Sequence, residues 1–189
     1  MKCFIVALKE ETGGVSSING LPVIYSGVGK INAARAASVA IAHEFNEIIN
    51  IGSVGSRNFS LGEIIKVGKV YQDIDIRPLC EYGISISPWN KSEPYLILDE
   101  SSDVSCFTTD YFYDSSKESK YSPEYLNMVK TCSVFDMELY ALTSVCQLSA
   151  VKFSSFKWVS DDGDHTSWVK NCKISFEKLL DLKYFWDFI

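Results

Sequence analysis

The sequence lacks any excess of positive charge. Its 189 residues include 18 Lys and Arg against 24 Asp and Glu, which gives a formal net charge of -6. No cluster of Lys or Arg offsets this balance locally. Because a nucleic-acid backbone is held by a basic surface, we expect no nucleic-acid partner.

Long apolar runs are also absent. The longest ones fall short of the roughly 20 residues that a membrane-spanning helix needs. The opening stretch, residues 1–7, is too short for a signal peptide and passes directly into charged residues. We therefore expect a cytoplasmic protein without a membrane partner.

Cysteine and histidine do not occur in the spacings typical of metal sites. The six cysteines lie far apart and form no Cys-x-x-Cys pair. Several stand inside apolar runs as small hydrophobic residues would, which predicts reduced thiols. His43 and His165 have no partner at ligand spacing. We predict neither a metal nor another cofactor.

Apolar patterning predicts strands interleaved with helices, and hence an α/β domain spanning residues 1–189. Strands are expected at residues 2–8 and 22–26, paired as a hairpin, and a helix is expected at 31–45. Further strands are predicted at residues 47–51, 63–70, 71–76, 83–90, 95–98 and 150–159. Further helices are predicted at residues 123–130, 136–148 and 175–188.

One glycine-rich segment has the look of a phosphate loop but not its spacing. The segment is Ser26-Gly27-Val28-Gly29-Lys30. A P-loop needs a further glycine five positions before Gly29 and Ser or Thr after Lys30, where this chain has Ile24 and Ile31. The glycines instead favour a tight strand-to-helix turn whose backbone lies close to a ligand.

The strongest chemical signal is an acid at the end of a hydrophobic strand. Residues 156–159 run into Ser160 and Asp161, with Asp162 and Asp164 behind them. Partial burial and like charges both raise the pKa of a carboxyl, so Asp161 is a candidate general acid. The alternative is a solvated turn between strand and helix. Similarly, Asp136 can be a plain helix N-cap.

Six short segments, in their order, resemble the nucleoside phosphorylase and nucleosidase superfamily, most closely the methylthioadenosine/S-adenosylhomocysteine nucleosidases. They are residues 7–11, 26–34, 48–55, 109–113, 136–138 and 159–161. The resemblance implies a three-layer α/β/α fold with a mixed, partly barrel-like central sheet, like that of purine nucleoside phosphorylase. It also implies a homodimer that binds a small-molecule nucleoside.

The resemblance further implies the catalytic roles. Asp161 would protonate N7 of a purine, and Glu11 would deprotonate the attacking water.

The binding roles are implied in the same way. Glu138 would hold the ribose hydroxyls, with Met137 packed below the ribose and Ser53 beside it. Phe112 would stack on the base, and the Tyr113 backbone would hydrogen-bond to its edge.

Two alternatives stay open from sequence. A phosphorylase needs arginines at its phosphate site, whereas this chain has Asn50 where that branch has one of them. Water is therefore the expected nucleophile, although Arg57 and Arg77 are possible phosphate ligands. A non-catalytic nucleoside-binding domain has the same fold but no use for Glu11. Departures from the family around residues 13–20, 54–56, 80–106 and 113 leave the base and the 5′ substituent open.

Overall fold

A computed structural model describes residues 1–74, 84–85 and 94–189. Within these residues one mixed sheet contains ten strands: β1 (Lys2–Val6), β2 (Ser17–Ile18), β3 (Leu21–Tyr25), β4 (Glu47–Gly55), β5 (Ile64–Lys66), β6 (Lys69–Gln72), β7 (Tyr95–Ile97), β8 (Ser105–Thr108), β9 (Val134–Asp136) and β10 (Lys152–Asp161). The α-helices of the described ranges are α1 (Lys30–Ala42), α2 (Pro123–Thr131), α3 (Leu139–Leu148), α4 (His165–Asn171), α5 (Phe176–Asp181) and α6 (Lys183–Phe188). The strand predicted at residues 83–90 lies largely outside the described residues.

Helices cover both faces of the sheet. In β1, Cys3 and Ile5 belong to the core formed with α1 and α3, whereas Phe4 and Val6 belong to the core formed with α5 and α6. A strand buried on both faces needs apolar residues at every position, which is why β1 is continuously hydrophobic. The predicted three-layer α/β fold with a mixed sheet is confirmed.

The sheet branches at β4 and does not close into a barrel within the described residues. Its main path runs β2-β3-β1-β4-β9-β8-β6-β7, and β10 pairs with β4 off this path. The neighbours β1 and β10 both run parallel to β4. Their carboxyl ends therefore meet on one side of the sheet, where ligands of parallel sheets usually bind.

The predicted hairpin between the first two long strands is wrong. β1 and β3 run parallel, with Phe4 opposite Val23. The chain between them contains a 3-10 turn and β2, and β2 is the strand that forms an antiparallel hairpin with β3. The short intervening strand reverses the chain once more than the sequence pattern indicated.

Two predicted helices have different boundaries. Asp136 ends β9, and helix α3 begins only at Leu139. The terminal helix predicted at residues 175–188 is divided into α5 and α6 at Leu182, whose backbone is extended. Helix α4 was not predicted.

The described cysteines are all buried and unpaired, as expected of small core residues: Cys3, Cys106, Cys132, Cys146 and Cys172. In the part of the chain that the structure describes, no helix combines the length and the apolar character needed to cross a membrane.

Phe185 tests the contribution of the C-terminal layer. Its fully buried ring contacts Phe4 and Phe156. We expect Phe185→Ala to lower the free energy of unfolding by about 3–5 kcal/mol, because it removes buried apolar surface and leaves a cavity. The neighbouring Tyr184 is 52% exposed, so Tyr184→Ala should change stability by only about 0.5 kcal/mol. Equal effects in urea unfolding would contradict this packing.

Candidate active site

A cavity of about 350 Å³ opens beside the carboxyl ends of β1, β4, β9 and β10. A volume of this size is typical of small-ligand pockets. All of the site residues predicted from sequence line it: Glu11, Ser53, Phe112, Tyr113, Met137, Glu138 and Asp161. The fold thus brings the candidate residues of separate segments together.

Asp161 ends β10 and is 5% exposed. One carboxylate oxygen accepts the backbone N–H of Gly163 at 2.9 Å, and the other lies 2.7 Å from the Ser160 hydroxyl. Burial, reinforced by Asp162 and Asp164, raises the pKa of Asp161 above its ordinary value, although the two hydrogen bonds oppose the shift. Compared with exposure to water, this environment favours the protonated form of the Asp161 carboxyl.

Gly163 connects the end of β10 to the aromatic wall of the cavity. Its φ of +94° is a conformation that favours glycine, and an added Cβ would lie 2.6 Å from the Tyr113 ring. The Gly163 carbonyl accepts the backbone N–H of Ser115 at 2.8 Å. The loop after Asp161 is thereby held against the loop that carries Phe112 and Tyr113.

Glu11 lies in the 3-10 turn after β1 and is 4% exposed. Its Oε1 accepts both the backbone N–H and the hydroxyl of Ser53 at 2.7 Å, and its Oε2 accepts the backbone N–H of Leu8 at 3.0 Å. A Cβ at Gly52 would come within 3.0 Å of Glu11 Oε1, so the glycine gives this carboxylate room against β4. Three donors fix its orientation.

Glu138 is buried between β9 and α3 and bonds to the glycine-rich loop. Its Oε1 accepts the Gly29 backbone N–H at 2.8 Å. Val28 also lines the cavity, so this loop places backbone beside the site as predicted, although its partner here is a carboxylate. Burial first, and the nearby Asp136 second, raise the pKa of Glu138 to about 8.

Lys157 is a buried cation that sequence reasoning missed. It is 2% exposed, and its Nζ lies 3.3 Å from Asp136 Oδ2. Burial disfavours its charge, but the attraction of Asp136, Glu138 and Glu11 outweighs burial and raises the pKa of Lys157. The position of Lys157 between the apolar residues Phe156 and Trp158 could have indicated this role from sequence, because a charge buried in an apolar segment needs buried partners.

The alternative that makes Asp136 the N-cap of a helix is wrong, since the N-cap residue of α3 is Glu138, but Asp136 has a structural role at the end of β9. It accepts the Leu139 backbone N–H at 2.9 Å and the Thr108 hydroxyl at 2.7 Å. Because Lys157 also lies beside Oδ2, both oxygens of the Asp136 carboxylate have partners within the protein.

An aromatic wall faces these carboxylates. The Phe112 ring meets the His165 ring edge-on at 5.7 Å, and His165 stacks on Trp168 at 5.8 Å. The Trp168 indole donates to the Ser53 hydroxyl at 3.1 Å. His165 and Trp168 were missed because the short helix α4 that carries them was not predicted. The Tyr113 side chain is turned into the core, where it packs on Phe135 and bonds to Glu118.

Arg57, one of the two possible phosphate ligands, does not line the cavity. Arg57 Nη2 lies 2.7 Å from Glu118, and Arg57 is absent from the described lining. Asn50 is buried in the sheet, where it donates to the Ile5 carbonyl and accepts from Ser155. Arg77 lies outside the described residues.

Glu138 generates a pH-dependent stability. Because its pKa is raised from 4.5 to about 8, the folded state holds a proton that the unfolded state releases across this interval. This contribution to stability is complete below pH 4.5 and is lost as the pH rises to about 8. The difference in unfolding free energy between wild type and Glu138→Gln should fall by up to about 1.4 kcal/mol per pH unit.

Denaturant unfolding at several pH values measures this difference, with Glu100→Gln at an exposed position as the matched control. A Glu138→Gln difference that stays constant with pH would contradict the raised pKa.

No protein-family model and no curated protein matches this chain. Solved structures do. The 5′-methylthioadenosine/S-adenosylhomocysteine nucleosidase of Helicobacter pylori matches with a TM-score of 0.80 at 18% identity, over 100% of this chain and 98% of that chain. The futalosine hydrolase of Helicobacter pylori strain 26695 matches with a TM-score of 0.81 at 18% identity, over 100% and 97%.

The 5′-methylthioadenosine/S-adenosylhomocysteine nucleosidase of S. pneumoniae matches with a TM-score of 0.73 at 17% identity, over 95% of this chain and 97% of that chain. Agreement over nearly the whole of both chains, at identities this low, is agreement of fold. The chain therefore has the fold of the nucleoside phosphorylase and nucleosidase superfamily, as its six segments predicted.

Proposed function

We propose that the protein is a purine nucleosidase that hydrolyses the N-glycosidic bond of a purine ribonucleoside. The observation that carries the proposal is the convergence of three buried carboxylates, Glu11, Glu138 and Asp161, on one cavity. Each lies in a different local environment, which suits three different tasks. The fold shared with nucleosidases supports the same reaction.

Asp161 acts as the general acid. Burial raises its pKa and favours the protonated form, which can donate to N7 of the purine. Protonation lets the base leave as a neutral molecule with the electron pair of the glycosidic bond. Ser160 and Gly163 hold the carboxyl in place before and after the transfer.

Glu11 acts as the general base. Ser53 and Leu8 fix its orientation, and a water beside it gives up a proton as its oxygen bonds to the anomeric carbon. A domain that only binds nucleosides has no need of a carboxylate held in this way. The geometry of Glu11 therefore favours an enzyme over a non-catalytic binding domain.

Glu138 binds the ribose hydroxyls, with Met137 beneath the sugar. As the base departs, positive charge develops on the ribose, and the surplus of Glu11 and Asp136 over the buried Lys157 complements it. Phe112 and the Tyr113 backbone form the base side of the cavity.

Water is favoured over phosphate as the nucleophile. Among the described residues that line the cavity, none is Arg or Lys. A phosphate dianion is normally bound by such groups. Arg57, a candidate from sequence, is instead paired with Glu118.

The candidate substrates differ in their base and in their 5′ substituent. The similar structures are named for 5′-methylthioadenosine, S-adenosylhomocysteine and futalosine, and one was solved with 5′-methylthioadenosine in its active site. These compounds, together with adenosine, inosine and guanosine, form the panel for this chain. From its length and composition we propose one domain over residues 1–189, and from its apolar patterning a cytoplasmic protein. The resemblance to nucleosidases supports a homodimer.

The test is release of free base from this panel, with and without phosphate. Release at the same rate without phosphate supports hydrolysis. Release that requires phosphate would identify a phosphorylase instead, and no release together with tight binding would identify a binding domain.

Asp161→Asn should lower kcat/KM by about 10²–10⁴-fold, because an amide cannot donate the proton that the base needs. Asp181→Asn, at an exposed position of α5 that does not line the cavity, is the matched control and should leave kcat/KM unchanged. Calorimetry of nucleoside binding should show that Asp161→Asn still binds. Normal turnover by Asp161→Asn would rule out its role as the acid.

Glu11→Gln should lower kcat by a similar factor, about 10²–10⁴-fold, because the attacking water loses its proton acceptor. The exposed neighbour provides the control, Glu10→Gln, which should turn over like wild type. Steady-state base release separates the two variants. An unchanged kcat in Glu11→Gln would place the general base elsewhere.

A further inference from the structure

Three charged residues outside the proposed chemistry join two segments that line the cavity. Lys30 begins α1, Asp73 follows β6 and Asp110 follows β8. The Lys30 ammonium bonds to Asp73 and lies 3.0 Å from Asp110 Oδ2. These three side chains form one ion cluster.

On one side, the cluster holds the wall that carries the base-side residues. Asp73 Oδ2 accepts the backbone N–H of Asp110 at 2.9 Å, and the Asp73 N–H donates to the Thr108 carbonyl at 3.1 Å. Tyr111, Phe112 and Tyr113 follow directly and line the cavity. The start of this loop is thus fixed by Asp73, and Asp73 is fixed by Lys30.

On the other side, Lys30 adjoins the ribose-side wall. The preceding residue, Gly29, donates its N–H to Glu138, and Val28 lines the cavity. A shift of Lys30 would therefore move the backbone donor of Glu138 as well as the loop at residues 109–113.

The position of Lys30 is not explained by helix stability. A cation in the first turn is opposed by the positive end of the helix dipole. The side chains of Lys30 and Asp73 are only 18% and 9% exposed, so removal of either would leave a partly buried charge without its partner. Burial lowers the pKa of Lys30, but its bonds to Asp73 and Asp110 raise the pKa by more than burial lowers it. The ammonium therefore stays charged at neutral pH.

We propose that Lys30 is a positioning residue that, through Asp73 and Asp110, holds the loop at residues 109–113 against the Val28–Gly29 turn and so sets the affinity of the cavity for its nucleoside. This inference rests on the proposed function for the identity of the ligand. The ion cluster itself can be tested without turnover.

The experiment compares Lys30→Met, Lys30→Arg and Asp110→Asn with wild type. Asp110 has a 64% exposed side chain, so its variant keeps the buried Lys30–Asp73 pair and should fold even if Lys30→Met does not. Lys152→Met is the matched control, because it removes an ion pair with Glu47 at the opposite end of β10 from Asp161. Amide hydrogen exchange of residues 109–113 is measured on the ligand-free proteins, followed by kcat and KM.

Lys30→Met and Asp110→Asn should speed exchange of residues 109–113 and raise KM about 10-fold to 100-fold with a smaller change in kcat, whereas Lys152→Met changes neither. Lys30→Arg, which keeps the charge, should restore much of the affinity. Unchanged exchange in the loop, or faster exchange with wild-type KM, would overturn the proposal.

If wild type releases no base from any nucleoside, the proposed function fails, and adenine binding by calorimetry replaces KM. Weaker adenine binding in Asp110→Asn would then support the positioning role. Adenine binding equal to wild type would overturn it.

Discussion

The parallel pairing of β10 with β4 is the constraint on which the site depends. The two strands stay in register from Lys152 opposite Glu47 to Val159 opposite Val54, and then one residue is inserted so that Asp161 lies opposite Gly55. A one-residue bulge reverses which face a side chain occupies. It places Asp161 beside the cavity opposite Gly55, two residues beyond Ser53, to which Glu11 bonds. Because β1 pairs with the other edge of β4, the turn that carries Glu11 is positioned by the same strand.

Charge balance beneath the cavity follows from this arrangement. Glu11, Asp136 and Glu138 lie around the buried cation Lys157, which β10 carries opposite Gly52. Burial first, and Asp136 second, raise the pKa of Glu138 to about 8, so Glu138 holds a proton at neutral pH, and the negative surplus around Lys157 comes from Glu11 and Asp136. A surplus of this kind costs stability in the free protein and becomes favourable when a positive charge develops in the bound ligand. The site is therefore suited to the cationic ribose of glycosidic bond cleavage.

Local signals predicted the α/β class and singled out Asp161, whereas most of the other predicted site residues that line the cavity came from the resemblance of six short segments to a known superfamily. Apolar runs mark the strands, and short polar segments follow them at the sheet edge. Sequence reasoning was wrong where the outcome depends on pairing between distant strands. β1 and β3 were expected to be antiparallel, but they are parallel because β2 lies between them in the chain and forms the antiparallel hairpin with β3. The helix predicted from Asp136 begins at Leu139 because β9 pairs Asp136 with Thr108. Lys157, His165 and Trp168 gain their roles only from neighbours that the linear sequence does not reveal.

In the proposed mechanism, Asp161 activates the base by giving a proton to N7. The most direct measurement uses a pair of nucleosides that differ only at this atom, a cleaved purine nucleoside and its 7-deaza analogue, in which a C–H group replaces N7. If the claim is right, the analogue binds and competes with the substrate but releases no base, because no acceptor for the proton remains. Cleavage of both compounds at similar rates would contradict it.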